Sequence, residues 1–195
     1  MGRDDETLIY GFLICTGIAA AFGLYVLSET KKVYEKGEAL SARLSLGWWI
    51  TDGAWSALVA LSSFYNLLPL QIGEAFALAT GLLLFAAGFI LTAAGIIEFH
   101  SLRKVSAMKV SNLITTGIYR WSRNPQFLGF YLTLLGLSLL GRSGYALLLA
   151  VIAIIYCHDY IVKVEEPYLE RIFGEEYRAY KSRTPRYLGI PKKLR

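Results

Sequence analysis

Charged positions withdraw from five windows of this chain. Residues 8–28 (LIYGFLICTGIAAAFGLYVLS) and 75–97 (AFALATGLLLFAAGFILTAAGII) carry no charge, and residues 46–68 (LGWWITDGAWSALVALSSFYNLL) carry only Asp52. The run 127–140 (FLGFYLTLLGLSLL) is shorter, and 144–157 (GYALLLAVIAIIYC) extends to about Val162 if His158 and Asp159 face protein. A hydrocarbon layer about 30 Å thick takes about 20 helical residues to cross. The pattern therefore predicts an all-α integral membrane protein with about five transmembrane helices, the last two forming a helical hairpin (127–162) that turns at GRSG. Beyond it, Pro167 predicts the start of a separate helix with an apolar side of Tyr168, Leu169, Ile172, Phe173, Tyr177 and Tyr180. That amphipathic, cytoplasmic C-terminal helix is expected to lie along the membrane surface as a lid, with Glu175, Glu176, Arg178 and Lys181 forming a solvated face of local charge pairs.

Composition agrees with a membrane protein: 55% of the 195 residues are hydrophobic and 18% charged, with a mean hydropathy of +0.44. All of the 20 Lys and Arg except Arg3 and Arg142 fall on one side of the five predicted spans. The positive-inside rule then gives an outside N-terminus and a cytoplasmic C-terminus. The leading MGRDDE is net acidic where a signal peptide is basic, and the apolar run after it is long, so an anchor that stays is expected. The myristoylation pattern fails for lack of Ser or Thr at position 6. Topology accounts for most of the +5 net charge, and no nucleic-acid partner is expected. Cys15 and Cys157 fall inside predicted spans without metal spacing, and with two histidines in the chain no metal site is expected.

Polar residues gather where the charge map puts the cytoplasmic face. In SNLITTGIYRWSRNP, Gly117 allows a sharp turn or a close approach to a ligand. Pro125 suits the first turn of the fourth span, leaving backbone N–H groups free for a carboxylate. Taken alone, Arg120 and Arg123 are headgroup anchors. Glu165 and Glu166 follow an apolar helix directly and need a partner, either Arg123 or a cationic ligand. His158 in CHDY is either a functional group or an interfacial one, and Asp52 in WWITDGAW is expected to serve helix packing or an aromatic belt.

The ordered pair LITTGIYRWSRNPQFLG, then EEPYLERIFGEEYRAYKSRTPR after an apolar hairpin, resembles the membrane methyltransferase superfamily of isoprenylcysteine carboxyl methyltransferase and the phospholipid N-methyltransferases. The likeness covers about residues 111–189, a cofactor-binding core within a single membrane domain (1–195) whose first 97 residues hold three spans. It implies transfer of the S-adenosylmethionine methyl group to a membrane lipid or prenylated acceptor entering from the bilayer. Carried over by position, the cofactor-binding residues are Leu113, Ile114, Gly117, Tyr119, Arg123, Asn124, Pro125, Glu165 and Glu166. Glu165 or Glu166 suits the ammonium and sulfonium, and Arg123 the carboxylate. Arg183, Arg186 and His158 are expected substrate contacts, and Glu165, Glu166 and Arg186 are the candidates for a catalytic role. Two positions depart from the pattern: Asn124 stands where the best-known motif has histidine, and Ile161 where the isoprenylcysteine branch has arginine.

The acceptor stays open between a carboxylate and an amine, the latter needing deprotonation by Glu165, Glu166, His158 or a tyrosine. Two further classes compete: an NADPH-dependent membrane reductase of the sterol-reductase type, and a non-enzymatic membrane protein whose polar clusters only stabilise its rim.

Overall fold

A computed structural model describes residues 3–99, 105–108 and 112–190. The chain runs through α1 (Arg3–Glu35), α2 (Ala42–Phe64), α3 (Glu74–Glu98), a 3-10 turn (Gly117–Arg120), α4 (Pro125–Leu140) and α5 (Gly144–Tyr160). A π turn (Ile161–Glu165), α6 (Glu166–Phe173) and α7 (Glu175–Arg183) follow. Among the described residues there is no strand, only an isolated bridge between Pro69 and Ser143. Three helices are long and apolar enough to cross a bilayer, Glu6–Glu35, Glu74–Glu98 and Gly144–Phe173, and Pro125–Leu140 is apolar but shorter. Their outward faces carry exposed Ile14, Ile18, Leu83, Phe89, Ile90 and Ile155, side chains that lipid accommodates and water does not. This is a multi-pass membrane protein. Arg103, Lys104, Lys109 and His100, and the basic residues after position 190, lie outside the described residues.

Lipid tails are as apolar as leucine, so helices in a bilayer associate by close approach. α3 and α4 achieve it with glycines seven residues apart, two helical turns on one face: Gly81 meets Gly136, Gly88 meets Gly129, and Gly95 faces Gln126 and Pro125 at the start of α4. A Cβ on Gly88 would stand 2.5 Å from the Gly129 carbonyl and 2.6 Å from Thr133 N, and one on Gly136 would stand 2.5 Å from Phe85 N. α1 packs on α2 by the same means, Gly47 receiving Val26 and Gly23 facing Thr51. It is tied to α5 by Tyr156, whose hydroxyl donates to the Gly23 carbonyl at 2.7 Å, and by the 2.9 Å hydrogen bond between the Thr16 and Tyr145 hydroxyls.

The end away from the basic loops is closed by the GRSG turn. Ser143 caps α5 by accepting the Ala146 N–H at 3.1 Å and donates to the Leu67 carbonyl at 2.7 Å. This docks the α2–α3 connection against the α4–α5 turn, with Leu70 N donating to Arg142 O at 2.7 Å and Gly144 N to Leu68 O at 2.8 Å.

Two sequence expectations are corrected. α2 starts four residues before the apolar window that located it, because Ser41 accepts the Leu44 N–H and caps the helix at that point. Pro167 does not begin a separate helix: Gly144–Phe173 is continuous, and the π turn carries the backbone past the proline, with Glu166 N donating to Ile161 O. A proline lacks an N–H and crowds the carbonyl four residues back, and the widened turn accommodates both. The break falls instead at Gly174, whose φ of 51° only glycine adopts readily. At 1.5 Å per residue, the 30-residue helix is about 45 Å long, longer than the hydrocarbon layer, and its last turn carries Arg171. There Arg171 donates to the Tyr34 and Glu35 carbonyls at 2.7 and 2.6 Å, capping the end of α1.

Two substitutions separate close packing from mere glycine content. Gly88→Leu forces α3 from α4 and lowers the unfolding temperature of the detergent-solubilised protein, an overpacking cost of about 1–3 kcal/mol or more. Gly17→Ala, with nothing within 4 Å of the added carbon, leaves the unfolding temperature unchanged or raises it, through a helix-propensity gain of up to about 1 kcal/mol.

Candidate functional site

The polar segment before α4 is held by the tail that follows α7. Arg123 N donates to the Pro185 carbonyl at 3.0 Å, and Gly189 N to Trp121 O at 3.3 Å. The Asn124 amide donates to the Arg186 carbonyl at 3.1 Å, joined there by the Ser122 hydroxyl at 3.4 Å. Asn124 thus latches the tail to the mouth of α4, a role for which an amide needs no titratable ring. Tyr180 adds a 2.7 Å hydrogen bond from its hydroxyl to the Tyr119 carbonyl, and Gln126 donates to the Tyr119 hydroxyl at 2.9 Å.

These contacts bring together charges far apart in sequence. Arg123 Nη2 lies 2.9 Å from Glu166 Oε1, with both side chains almost fully buried at 7% and 5% exposure. Arg186 grips the same carboxylate with two bonds, Nε to Oε1 at 2.9 Å and Nη2 to Oε2 at 3.0 Å, and Lys181 Nζ stands 3.8 Å from Oε2. Such fork-shaped pairing is strong and directional. The bonds to Glu166 hold Arg186 still more firmly in its charged form, raising its pKa. Burial, and then the Glu166 charge, push the Tyr177 phenol up; burial does the same to Tyr180 against the opposing pull of Arg123. Both phenols stay neutral at physiological pH.

Next to this cluster is a cavity of about 540 Å³. α2, α3, α4, the Gly144–Phe173 helix and α7 all contribute to its walls, along with the segments 105–107 and 112–114 and Tyr119 of the 3-10 turn. Two of its lining residues have polar atoms that are buried and unmatched. Arg123 spends only Nη2 on Glu166, leaving Nε and Nη1 without a hydrogen-bond partner, and Glu165 Oε2 is likewise alone. Unsatisfied buried groups of this kind are costly. One cavity therefore offers free donors on a guanidinium and a free acceptor on a carboxylate, an arrangement suited to a zwitterion.

Of the residues named from sequence, Leu113, Ile114, Tyr119, Arg123, Asn124, Glu165 and Glu166 line the cavity. Pro125 is buried at the start of α4, whose first turn has no side-chain cap. Gly117 sits behind the wall: with φ of 51°, it leaves room for the Glu98 carboxylate, which a Cβ would overlap. The three expected substrate contacts are not among the lining residues. Arg186 is engaged with Glu166, His158 Nδ1 is 2.7 Å from the Tyr187 hydroxyl, and the Arg183 guanidinium is 6.0 Å from the centre of the Tyr180 ring. Among the described residues no group of His, Cys, Asp and Glu is arranged to hold a metal.

Sequence reasoning missed the N-terminal half of this cavity. Trp48, Trp49, Asp52 and Ser56 of α2, with Thr92 and Ile96 of α3, line it. The signal was present in the one charged residue of an otherwise uncharged window.

A family model described as phospholipid methyltransferase matches residues 76–176. The chain is also similar to the Protein-S-isoprenylcysteine O-methyltransferase of Saccharomyces cerevisiae, 35% identical over 79 residues, which are 40% of this chain and 32% of that protein. To the protein of the same name from Schizosaccharomyces pombe it is 33% identical over 79 residues, 40% of this chain and 33% of that one. The match thus spans about a third of the length of these curated relatives. No solved structure matches the chain. With just over half its length inside the family model, covering α4, the buried Arg123–Glu166 pair and Glu165, the chain belongs to the phospholipid methyltransferase family.

Proposed function

We propose that this chain is an integral membrane methyltransferase that uses S-adenosylmethionine and acts on a lipid or prenyl-linked acceptor. The observation that carries the reading is the pair of unmatched groups in one cavity, Arg123 Nε and Nη1 and Glu165 Oε2. S-adenosylmethionine bears a carboxylate, an ammonium and a sulfonium, so Arg123 would take the first and Glu165 would face the cations. Glu166 is already committed to Arg123 and Arg186, and the ligand's cation therefore falls to Glu165. The uncapped first turn of α4 adds free N–H groups beside Arg123. Leu113, Ile114 and Tyr119 supply apolar and aromatic wall for the adenine.

When bound, S-adenosylmethionine supplies a methyl carbon on positively charged sulfur, which an acceptor atom displaces in line. The chain's own residues then have to orient the two partners and exclude water, which supplies much of the rate in such a reaction. An acceptor anchored in lipid reaches the cavity from the bilayer, and the α2 and α3 residues in its wall give it a side at membrane depth. The names of the yeast relatives, which speak of isoprenylcysteine O-methyl transfer, support methyl transfer to a membrane-borne acceptor. A nicotinamide dinucleotide is disfavoured by charge: Arg123 is the one Lys or Arg among the described lining residues, against Asp52, Glu165 and Glu166. In this reading residues 111–189 form the cofactor core, Arg186 acts on it through Glu166, and all five apolar helices cross the membrane with the basic loops and the C-terminus in the cytoplasm.

Three outcomes are expected. Detergent-purified protein binds S-adenosylmethionine saturably and NADPH not at all, as equilibrium dialysis with labelled ligands reads directly. Glu165→Gln abolishes that binding without loss of thermal stability, whereas Glu166→Gln strands Arg123 as a buried lone charge and costs about 3–5 kcal/mol of stability. Single cysteines placed at the exposed Glu38 and Gln71 in a chain lacking Cys15 and Cys157 react with a membrane-impermeant maleimide from opposite faces of sealed vesicles, and labelling of both from one side would overturn the five-span arrangement.

A further inference from the structure

The α2 wall of the cavity is left unused by the residues proposed for the methyl donor. Asp52 lies ten residues into α2, roughly 15 Å along its axis from Ala42, and lines the cavity with Arg123 and Glu165. Among the described residues no hydrogen bond or ion pair reaches its carboxylate. Two indoles of the same wall are fixed by their own N–H groups: Trp48 Nε1 donates to Thr30 Oγ1 at 2.8 Å, and Trp49 Nε1 to Ser106 Oγ at 3.1 Å. Trp48 packs in turn on Tyr160, ring centres 4.6 Å apart. An ionisable residue at membrane depth without a partner is expensive to keep, which points to a ligand. A carboxylate among immobilised aromatic faces offers an ammonium both charge and ring quadrupole, and it repels a second carboxylate.

The rest of the lining points the same way. Arg123 is divided between Glu166 and the proposed donor carboxylate, so among the described lining residues no cation remains for an acceptor carboxylate. Asp52 lies on α2, outside residues 76–176, the segment the family model matches.

We propose that Asp52 is the acceptor-selecting residue of the cavity, holding a protonatable nitrogen carried on a lipid and turning away a free carboxylate. The inference rests on the methyltransferase reading above. Transfer to such a nitrogen balances: the bound ammonium first passes a proton to the Asp52 carboxylate, and the freed lone pair then forms the nitrogen–carbon bond as the carbon–sulfur bond breaks with its electrons on sulfur. The methylated nitrogen leaves as an ammonium, and Asp52 returns its proton to water.

The test uses the full chain in lipid nanodiscs, as wild type, Asp52→Asn and Asp52→Glu. Binding of a short-chain aminophospholipid and of an S-prenylcysteine is measured first without any methyl donor, and then the transfer of labelled methyl to each. The donor-free wild type is expected to favour the aminophospholipid. Asp52→Asn weakens that binding about tenfold or more and moves the acceptor ratio toward the prenylcysteine, while Asp52→Glu keeps the preference. Affinity for S-adenosylmethionine stays the same in all three. A wild type that prefers the prenylcysteine, or a ratio unmoved by Asp52→Asn, overturns the assignment and leaves methyl transfer standing. Loss of saturable S-adenosylmethionine binding in every variant overturns the methyltransferase reading instead, and the donor-free preference then decides the role of Asp52 by itself.

Discussion

The Glu166 carboxylate receives Arg123 on one side and the fork of Arg186 on the other, in a place where the first pair has almost no water to fall back on. Three pieces of chain far apart in sequence meet at those two oxygens: the segment before α4, the start of α6, and the tail after α7. Burying charge is costly unless each charge is matched, so this cluster fixes where all three must be. The backbone hydrogen bonds from Arg123 to Pro185 and from Gly189 to Trp121, with the Asn124 amide on Arg186, lie around it and depend on the same approach.

That arrangement also explains why Glu165 and Arg123 are left incomplete. Adjacent carboxylates on a helix cannot both turn to the same guanidinium. Glu166 points into the cluster, and Glu165, one position earlier in the π turn, keeps an oxygen buried without a partner. Arg123 spends one nitrogen on Glu166 and retains two free ones beside the same cavity. A structure that carries such mismatched groups in one place gives up stability there, and a ligand with complementary charges restores it. The membrane helices make this possible from a distance: the glycine seam between α3 and α4 holds α4 rigidly, and so fixes where its N-terminal segment presents Arg123.

The sequence by itself determined the helical membrane architecture, because twenty-residue windows without charge have no other stable form in hydrocarbon. It located α1, α3, the hairpin and its GRSG turn, and the two polar segments, since a charge stands out against an apolar background. The family was legible as well, in the ordered pair of polar segments around the hairpin. The tertiary structure decided what composition and spacing leave open. The seven-residue glycine rows pass for ordinary membrane glycines until α3 and α4 are seen in contact. Pro167 has the local signature of a helix start, and only the continuous packing of Tyr168 on Tyr34 and of Ile161 and Val164 in the core keeps the helix running through a π turn. Which of two neighbouring glutamates is paired, and that Asp52 of α2 shares a cavity with Arg123 some seventy positions on, depend on side-chain direction and long-range contact. Neither is encoded in the periodicity of any single segment.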